Sequence, residues 1–272
     1  MNEQKAVPES EQGKTRSAIL PHKEVGRSES PPIIFVHGFG GDYLSFQPIQ
    51  IALAAEFRSL AFDLPGHGNA VDWPVIGSPK QSADAVTQSL DALKIDKIHL
   101  VGHSMGGAIA TIMAFSDPAR IASLTLLAPG GFGTEINHRL LRRFATARTE
   151  AEIAPLLEQF FGWTFPIPPE VAGLIADARS NPKIIENLQV IMETLVDGDV
   201  QKTFPKDKFD TLGMPVKVLW GTQDRVLPTR QSHRFPGIVA THIFEEVGHM
   251  PHFEIPDQTI KLIRECARSG GK

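Results

Sequence analysis

The chain has 272 residues, 42% of them hydrophobic, enough for a substantial core in one large domain or one domain carrying an insertion. A formal net charge of −4 without a basic cluster argues against a nucleic-acid partner, and the single cysteine, Cys266, rules out a disulfide framework or a thiolate metal site. No apolar run is long enough to span a bilayer and the first residues lack a secretory core, so a cytoplasmic protein without a membrane partner is expected.

Residues 1–30 read as a polar leader, interrupted by Pro8, Gly13 and Pro21, partly mobile and with a short strand near Ser17–Leu20. Ile33-Ile34-Phe35-Val36 is a continuous β-favouring run of the kind buried on both faces of a parallel sheet, and it ends in the loop His37-Gly38-Phe39-Gly40-Gly41. A helix over Phe46–Ala55 follows. Leu60–Asp63 is the next strand, closed by Leu64-Pro65-Gly66-His67-Gly68. Ala83, Val86, Leu90 and Leu93 then mark a helix over Ser82–Leu93, leading to a strand over Ile98–Val101, a helix over Ala108–Phe115 and a strand over Leu124–Leu127. Such alternation is the signature of a sheet covered by helices on both faces.

The rhythm breaks after Gly131. Between Gly133 and Leu212 the pattern predicts helices over Asn137–Arg148, Glu150–Phe161, Pro168–Ala178 and Asn181–Val196, with no strand. Alternation resumes with strands at Pro215–Trp220 and Ile243–Glu245 and a closing helix over Asp257–Ala267, which places Cys266 as an ordinary surface or half-buried thiol. The predicted class is α/β, with a mostly parallel central sheet, a core of 31–132 and 213–272, and a helical cap inserted at 133–212.

Chemistry is concentrated at Gly102-His103-Ser104-Met105-Gly106, where an apolar strand meets a helix. Strand, sharp turn and helix together make this Gly-x-Ser-x-Gly a nucleophile elbow, with Ser104 exposed at the turn and a helix N-terminus beside it. A serine hydroxyl needs a base, and the base an orienting acid. His249 follows the last predicted strand, where open α/β sheets carry their sites, and Met250-Pro251 is expected to bar immediate helix formation. His252 is its nearest rival. Asp224, in the loop after the strand ending at Trp220, lies on the same sheet edge, whereas Asp199 and Asp210 would have to come from the cap side. The Gly-rich loop after the first strand can present the Phe39 backbone N–H, which with that of Met105 would form an oxyanion hole. For the substrate pocket, Phe132, Phe144, Phe160, Phe161, Trp163 and Phe165 are available between sheet edge and cap, and His138 and Arg139 open a cap helix where they could meet a carboxylate.

Taken together, Val36-His37-Gly38-Phe39-Gly40-Gly41, Phe62–Gly68, Gly102–Gly107, Gly221-Thr222-Gln223-Asp224 and Gly248-His249 resemble the α/β-hydrolase superfamily from Pro31 to the end, the cap excepted. Within it, Leu127–Gly133 and Glu135-Ile136-Asn137 resemble the meta-cleavage-product C–C hydrolases and the hydrolase-like domain of acetoin dehydrogenase acyltransferase components. His103 and Met250 depart from the amide and the tryptophan of those C–C hydrolases. With no lipoyl-bearing segment ahead of the domain, the acyltransferase reading is weakened. A serine nucleophile also separates the chain from haloalkane dehalogenases and epoxide hydrolases. The expectation is therefore a serine hydrolase of a carboxylic ester or related acyl bond, needing no metal or organic cofactor. It would act on a small-molecule substrate as a monomer or homodimer. C–C bond hydrolysis of a dienoic keto acid, acyl transfer, and a non-catalytic ligand receptor on the same fold are the alternatives.

Overall fold

The computed structural model describes residues 19–270. Seven strands, β1 (His22–Val25), β2 (Ile33–Val36), β3 (Ser59–Phe62), β4 (Ile98–His103), β5 (Ile121–Leu127), β6 (Val216–Gly221) and β7 (Ala240–Phe244), form one sheet in the order β1-β3-β2-β4-β5-β6-β7. All neighbours are parallel except β1, which runs antiparallel to β3. The uninterrupted apolar run of β2 has the expected cause, because every residue in β2 to β5 is buried.

The helices are α1 (Gln47–Leu53), α2 (Pro79–Ala92), α3 (Met105–Ser116), α4 (His138–Thr146), α5 (Glu150–Leu157), α6 (Glu170–Ala178), α7 (Pro182–Leu195), α8 (Pro251–Glu254) and α9 (Pro256–Gly270). Successive strand residues point to opposite faces. Ile34 and Val36 therefore join α2 and α3 in one apolar cluster, while Ile33 and Phe35 join α1 and α9 in another. The first cluster continues without a break into α4 to α7, which lie between β5 and β6 in the chain. Among the described residues no helix is long and apolar enough to cross a membrane.

Four local expectations are corrected. The leader strand lies at His22–Val25; of the segment expected at Ser17–Leu20, Ser17 and Ala18 fall outside the described residues. As a short, half-exposed edge strand it carries no apolar pattern. Helix α2 starts at Pro79 rather than Ser82, because Ser78 and Gln81 form a reciprocal capping box and Pro79 occupies the first turn. Met250-Pro251 does not bar a helix: Pro251 opens α8, where its missing N–H has no intrahelical partner to lose. Cys266 is fully buried, with its thiol donating to the Leu124 carbonyl at 3.6 Å. It belongs to the stripe Thr259, Leu262, Ile263, Cys266 and Ala267 that α9 turns toward the sheet.

Candidate active site

Ser104 sits between β4 and α3 at φ 53° and ψ −117°, a backbone conformation in which a non-glycine residue is strained. The surroundings hold it there. Its N–H donates to the Leu127 carbonyl on neighbouring β5, and its own carbonyl accepts from Gly107, Ala108 and Gly130. β4 and α3 approach so closely that a Cβ on Gly102 would lie 2.3 Å from the Gly106 carbonyl oxygen, and α3 lies so close to the end of β2 that one on Gly106 would lie 2.1 Å from that of Val36. The two glycines of the pentapeptide are thus steric requirements of the turn that lifts Ser104 out of the sheet.

Two strands along, the loop after β6 carries Asp224. Its Oδ1 accepts from the Val226 and Leu227 backbone N–H groups, both at 2.8 Å. Its Oδ2 accepts from Trp220 Nε1 at 3.0 Å and from His249 Nδ1 at 2.8 Å. Four donors hold the carboxylate in one orientation, and both partners of the Asp224–His249 pair are buried. In the neutral tautomer that donates from Nδ1 to Asp224, His249 Nε2 is the nitrogen with the free lone pair. Ser104 and His249 line the same cavity. Among the described residues no hydrogen bond joins Ser104 Oγ to His249, a contact that in unliganded enzymes often closes only around substrate.

The loop that bears His249 is tied down from several sides. His249 N–H donates to the Phe160 carbonyl at 2.7 Å, and the His249 carbonyl accepts from His103 Nε2 at 2.9 Å. The flanking Gly248 and Met250 N–H groups both donate to the Glu254 carboxylate, at 2.9 and 3.1 Å, and that carboxylate also accepts from Gly162 N–H at 2.7 Å. Around Asp224, Gln223 Oε1 accepts from Trp163 N–H at 2.7 Å and the Arg225 guanidinium donates to the Phe161 carbonyl at 2.8 Å. Residues 160–163, after α5, are therefore stitched to both loops. Sequence reading misses Glu254, Arg225 and Gln223 in this role: Arg225, Gln223 and one of the three bonds of Glu254 act on backbone groups of residues 161–163, far along the chain, and no spacing rule records that meeting.

On the other side of Ser104, after β2, lies the loop with Phe39. His67 Nε2 accepts from Gly40 N–H at 3.2 Å while its Nδ1 donates to the Pro65 carbonyl at 3.1 Å. His37 repeats the arrangement, with Nε2 accepting from Leu64 N–H at 3.0 Å and Nδ1 donating to the Gly38 carbonyl at 2.8 Å. A ring that donates from one nitrogen and accepts at the other must be neutral. Burial drives both the same way, lowering His37 to about 4 and, with His37 alongside, His67 to about 3. Among the described residues neither the Phe39 nor the Met105 backbone N–H has a protein acceptor.

Two cavities meet at Ser104. One, of about 490 Å³, is bounded by His249 and by Phe144, Phe160, Phe161 and Phe165. The other, of about 360 Å³, shares Phe39, Ser104 and Leu141 with it and extends past Met105 toward Gln201. Phe161 thus lies where a pocket residue was expected, but Phe132, His138 and Trp163 line neither cavity. Phe132 packs in an aromatic cluster with Phe204, Phe209 and Phe235. His138 turns its Nδ1 to within 2.8 Å of Asp199, and Trp163 is 73% exposed. The rival His252 is a buried ring stacked on Phe46 at 5.0 Å, with neither nitrogen hydrogen-bonded and its pKa lowered to about 3 by burial and then by His249. It lines the larger cavity but, among the described residues, reaches no carboxylate.

A model of the alpha/beta hydrolase family matches residues 33–262, the whole span that contains these loops. The chain belongs to that family. This alpha/beta hydrolase is similar to the dihydrolipoyllysine-residue acetyltransferase component of the acetoin cleaving system of Pseudomonas putida, at 32% identity over 252 residues, covering 92% of the chain and 67% of that protein. It is 30% identical over 233 residues to the component of the same name from Cupriavidus necator, where 86% of the chain covers 62% of the relative. The chain thus spans about two thirds of the length of these relatives. Among solved structures, a meta-cleavage product hydrolase from Pseudomonas fluorescens superposes with a TM-score of 0.80 at 22% identity, covering 91% of the chain and 93% of the neighbour.

Proposed function

We propose that this alpha/beta hydrolase cleaves a carboxylic ester, or a related acyl bond, of a small to medium substrate by way of an acyl-enzyme. The observation that carries the reading is the buried 2.8 Å pair between Asp224 and His249, opening onto the cavity lined by a backbone-strained Ser104. In this mechanism Ser104 Oγ attacks the substrate carbonyl carbon while His249 Nε2 takes its proton, and Asp224 stabilises the imidazolium that forms. The tetrahedral oxygen accepts hydrogen bonds from Phe39 and Met105 N–H, each worth about 2.7–4 kcal/mol in the transition state. Collapse breaks the bond to the alcohol, whose oxygen receives the proton from His249. Water deprotonated by His249 then attacks the acyl-enzyme and releases the acid and the free serine. The helices between β5 and β6 serve as the cap that closes the pocket.

A fluorophosphonate probe tests the nucleophile: folded protein is labelled at Ser104 and the Ser104→Ala protein is not. No labelling would favour a ligand-binding protein on this fold. A panel of p-nitrophenyl esters, run beside a dienoic keto acid and a thioester with an acceptor thiol, tests the reaction. Ester turnover is expected; activity confined to the keto acid or to acyl transfer would overturn the esterase reading.

A further inference from the structure

The two cavities that meet at Ser104 differ in charge. Apart from histidines, the only formally charged side chain among the described residues lining the larger one is Asp42, an acid. In the smaller one the formally charged lining residues are Lys80 and Lys202, both cations. Lys80 also pairs with Asp84, which does not line the cavity, and Lys202 has no ion-pair partner among the described residues. The rest of the smaller cavity is apolar or neutral, with Ile112, Ile136, Leu195 and Gln201 among its walls. Of the two cavities that meet at Ser104, the smaller is thus the one whose walls include cations.

Chemistry decides which half of an ester occupies which side. The departing alcohol oxygen takes its proton from His249, and His249 lines the larger cavity alone. The acyl group stays bonded to Ser104 and extends away from His249, past Met105, into the smaller cavity. Resting on the serine-hydrolase reading above, we propose that the preferred substrate is the half-ester of a short dicarboxylic acid. Its free carboxylate meets Lys80 and Lys202 at the end of the acyl chain, and an apolar alcohol of aromatic size fills the phenylalanine-lined cavity. Both lysines are exposed, so the attraction is screened by solvent and its effect on rate is modest and salt-dependent.

The test compares the mono-p-nitrophenyl ester of glutaric acid with p-nitrophenyl pentanoate, equal in chain length and differing in charge. Wild-type protein is expected to favour the acidic ester by about fivefold in kcat/KM at low ionic strength, with the preference shrinking toward parity near ~0.5 M salt. In the Lys80→Gln/Lys202→Gln protein the preference is expected to vanish at all salt concentrations. Being a ratio within one preparation, it does not depend on how much of the variant folds. Parity or a preference for the neutral ester in the wild type would overturn the proposal, as would a preference that survives in the double variant. So would a preference for the charge on the alcohol, measured with 4-carboxyphenyl against phenyl pentanoate. If both p-nitrophenyl esters turn over without preference and Ser104 is labelled by fluorophosphonate, the acidic-substrate proposal falls alone. If neither turns over and Ser104 is not labelled, the serine-hydrolase reading falls and takes this proposal with it.

Discussion

The loops that carry Ser104 and His249 are built in opposite ways. Ser104 is positioned mainly by the strand before it and the helix after it, with Gly102 letting those two touch, Gly106 letting the helix touch β2 at Val36, and the Leu127 carbonyl one strand over. The His249 loop is tied to distant parts of the chain, by the Phe160 carbonyl, by the His103 ring and through Glu254, which holds Gly248 and Met250 locally and Gly162 from afar. In the proposed mechanism, remodelling of the inserted helices is expected to spare the Ser104 turn and to disturb His249, which hangs partly on residues 160–162. The difference makes the α5–α6 connection a place where changes reach the chemistry without touching the serine.

The largest effect expected is from Ser104→Ala, which should lower turnover by about a million-fold if the three side chains act as a unit, read as kcat on p-nitrophenyl butyrate. A loss of only tenfold would mean that another group attacks. The contrast between the two loops is sharpened by Glu254→Gln, which removes the charge from three backbone hydrogen bonds. Charge-assisted bonds of this kind are worth about 1.5–3 kcal/mol each, so kcat should drop by about tenfold to a hundredfold with little change in KM. Full activity in that variant would detach His249 from the contact network described above.

A third measurement probes the buried imidazoles. Above about pH 6.5 the ring of His252 is neutral in both folded and unfolded chains and costs nothing electrostatically. As pH falls, the unfolded chain takes up a proton that the folded ring, lowered to about 3, refuses. Stability must therefore decline by about 1.4 kcal/mol per pH unit for this histidine between those two values, with His37 and His67 adding the same sign. His252→Phe should make the slope of urea-unfolding free energy between pH 6 and pH 4 shallower by about one proton. An unchanged slope would show that the ring is protonated in the folded protein. The smallest effects separate pocket from surface: Phe161→Ala should raise KM for aromatic esters several-fold, while Trp163→Ala, at an exposed position, should change stability by less than about 0.5 kcal/mol. If the two variants behave alike, the cavity assignment of Phe161 is wrong.

Much of this is legible in the amino-acid sequence. Apolar runs such as Ile33–Val36 and Leu124–Leu127 announce strands buried on both faces, and they lie inside β2 and β5. The pentapeptide around Ser104 could be read as an elbow because each of its requirements, a strand, a missing Cβ and a helix, is local in sequence. The placement of Phe132, His138 and Trp163 could not be read. An aromatic ring is as suited to a core cluster as to a pocket wall, and only the packing of 133–212 against the sheet separates Phe132 from Phe161. Cys266 shows the same division: helical periodicity predicted its helix, yet which face of α9 meets β5 decided that its thiol is buried.

By itself, then, the sequence determined the alternation of strands and helices, the sharp turn at Ser104 and the order in which Ser104, Asp224 and His249 occur. Those follow from side-chain volume, backbone freedom and polarity acting over a few residues. Tertiary structure alone decided that Glu254 would clasp both neighbours of His249, that His67 would hold the loop of Phe39, and that two lysines and one aspartate would face opposite sides of the serine. Apart from the short-range bonds of Glu254 to Gly248 and Met250, those arrangements depend on backbone groups or surfaces brought together from far along the chain, where no periodicity or spacing records who will meet whom.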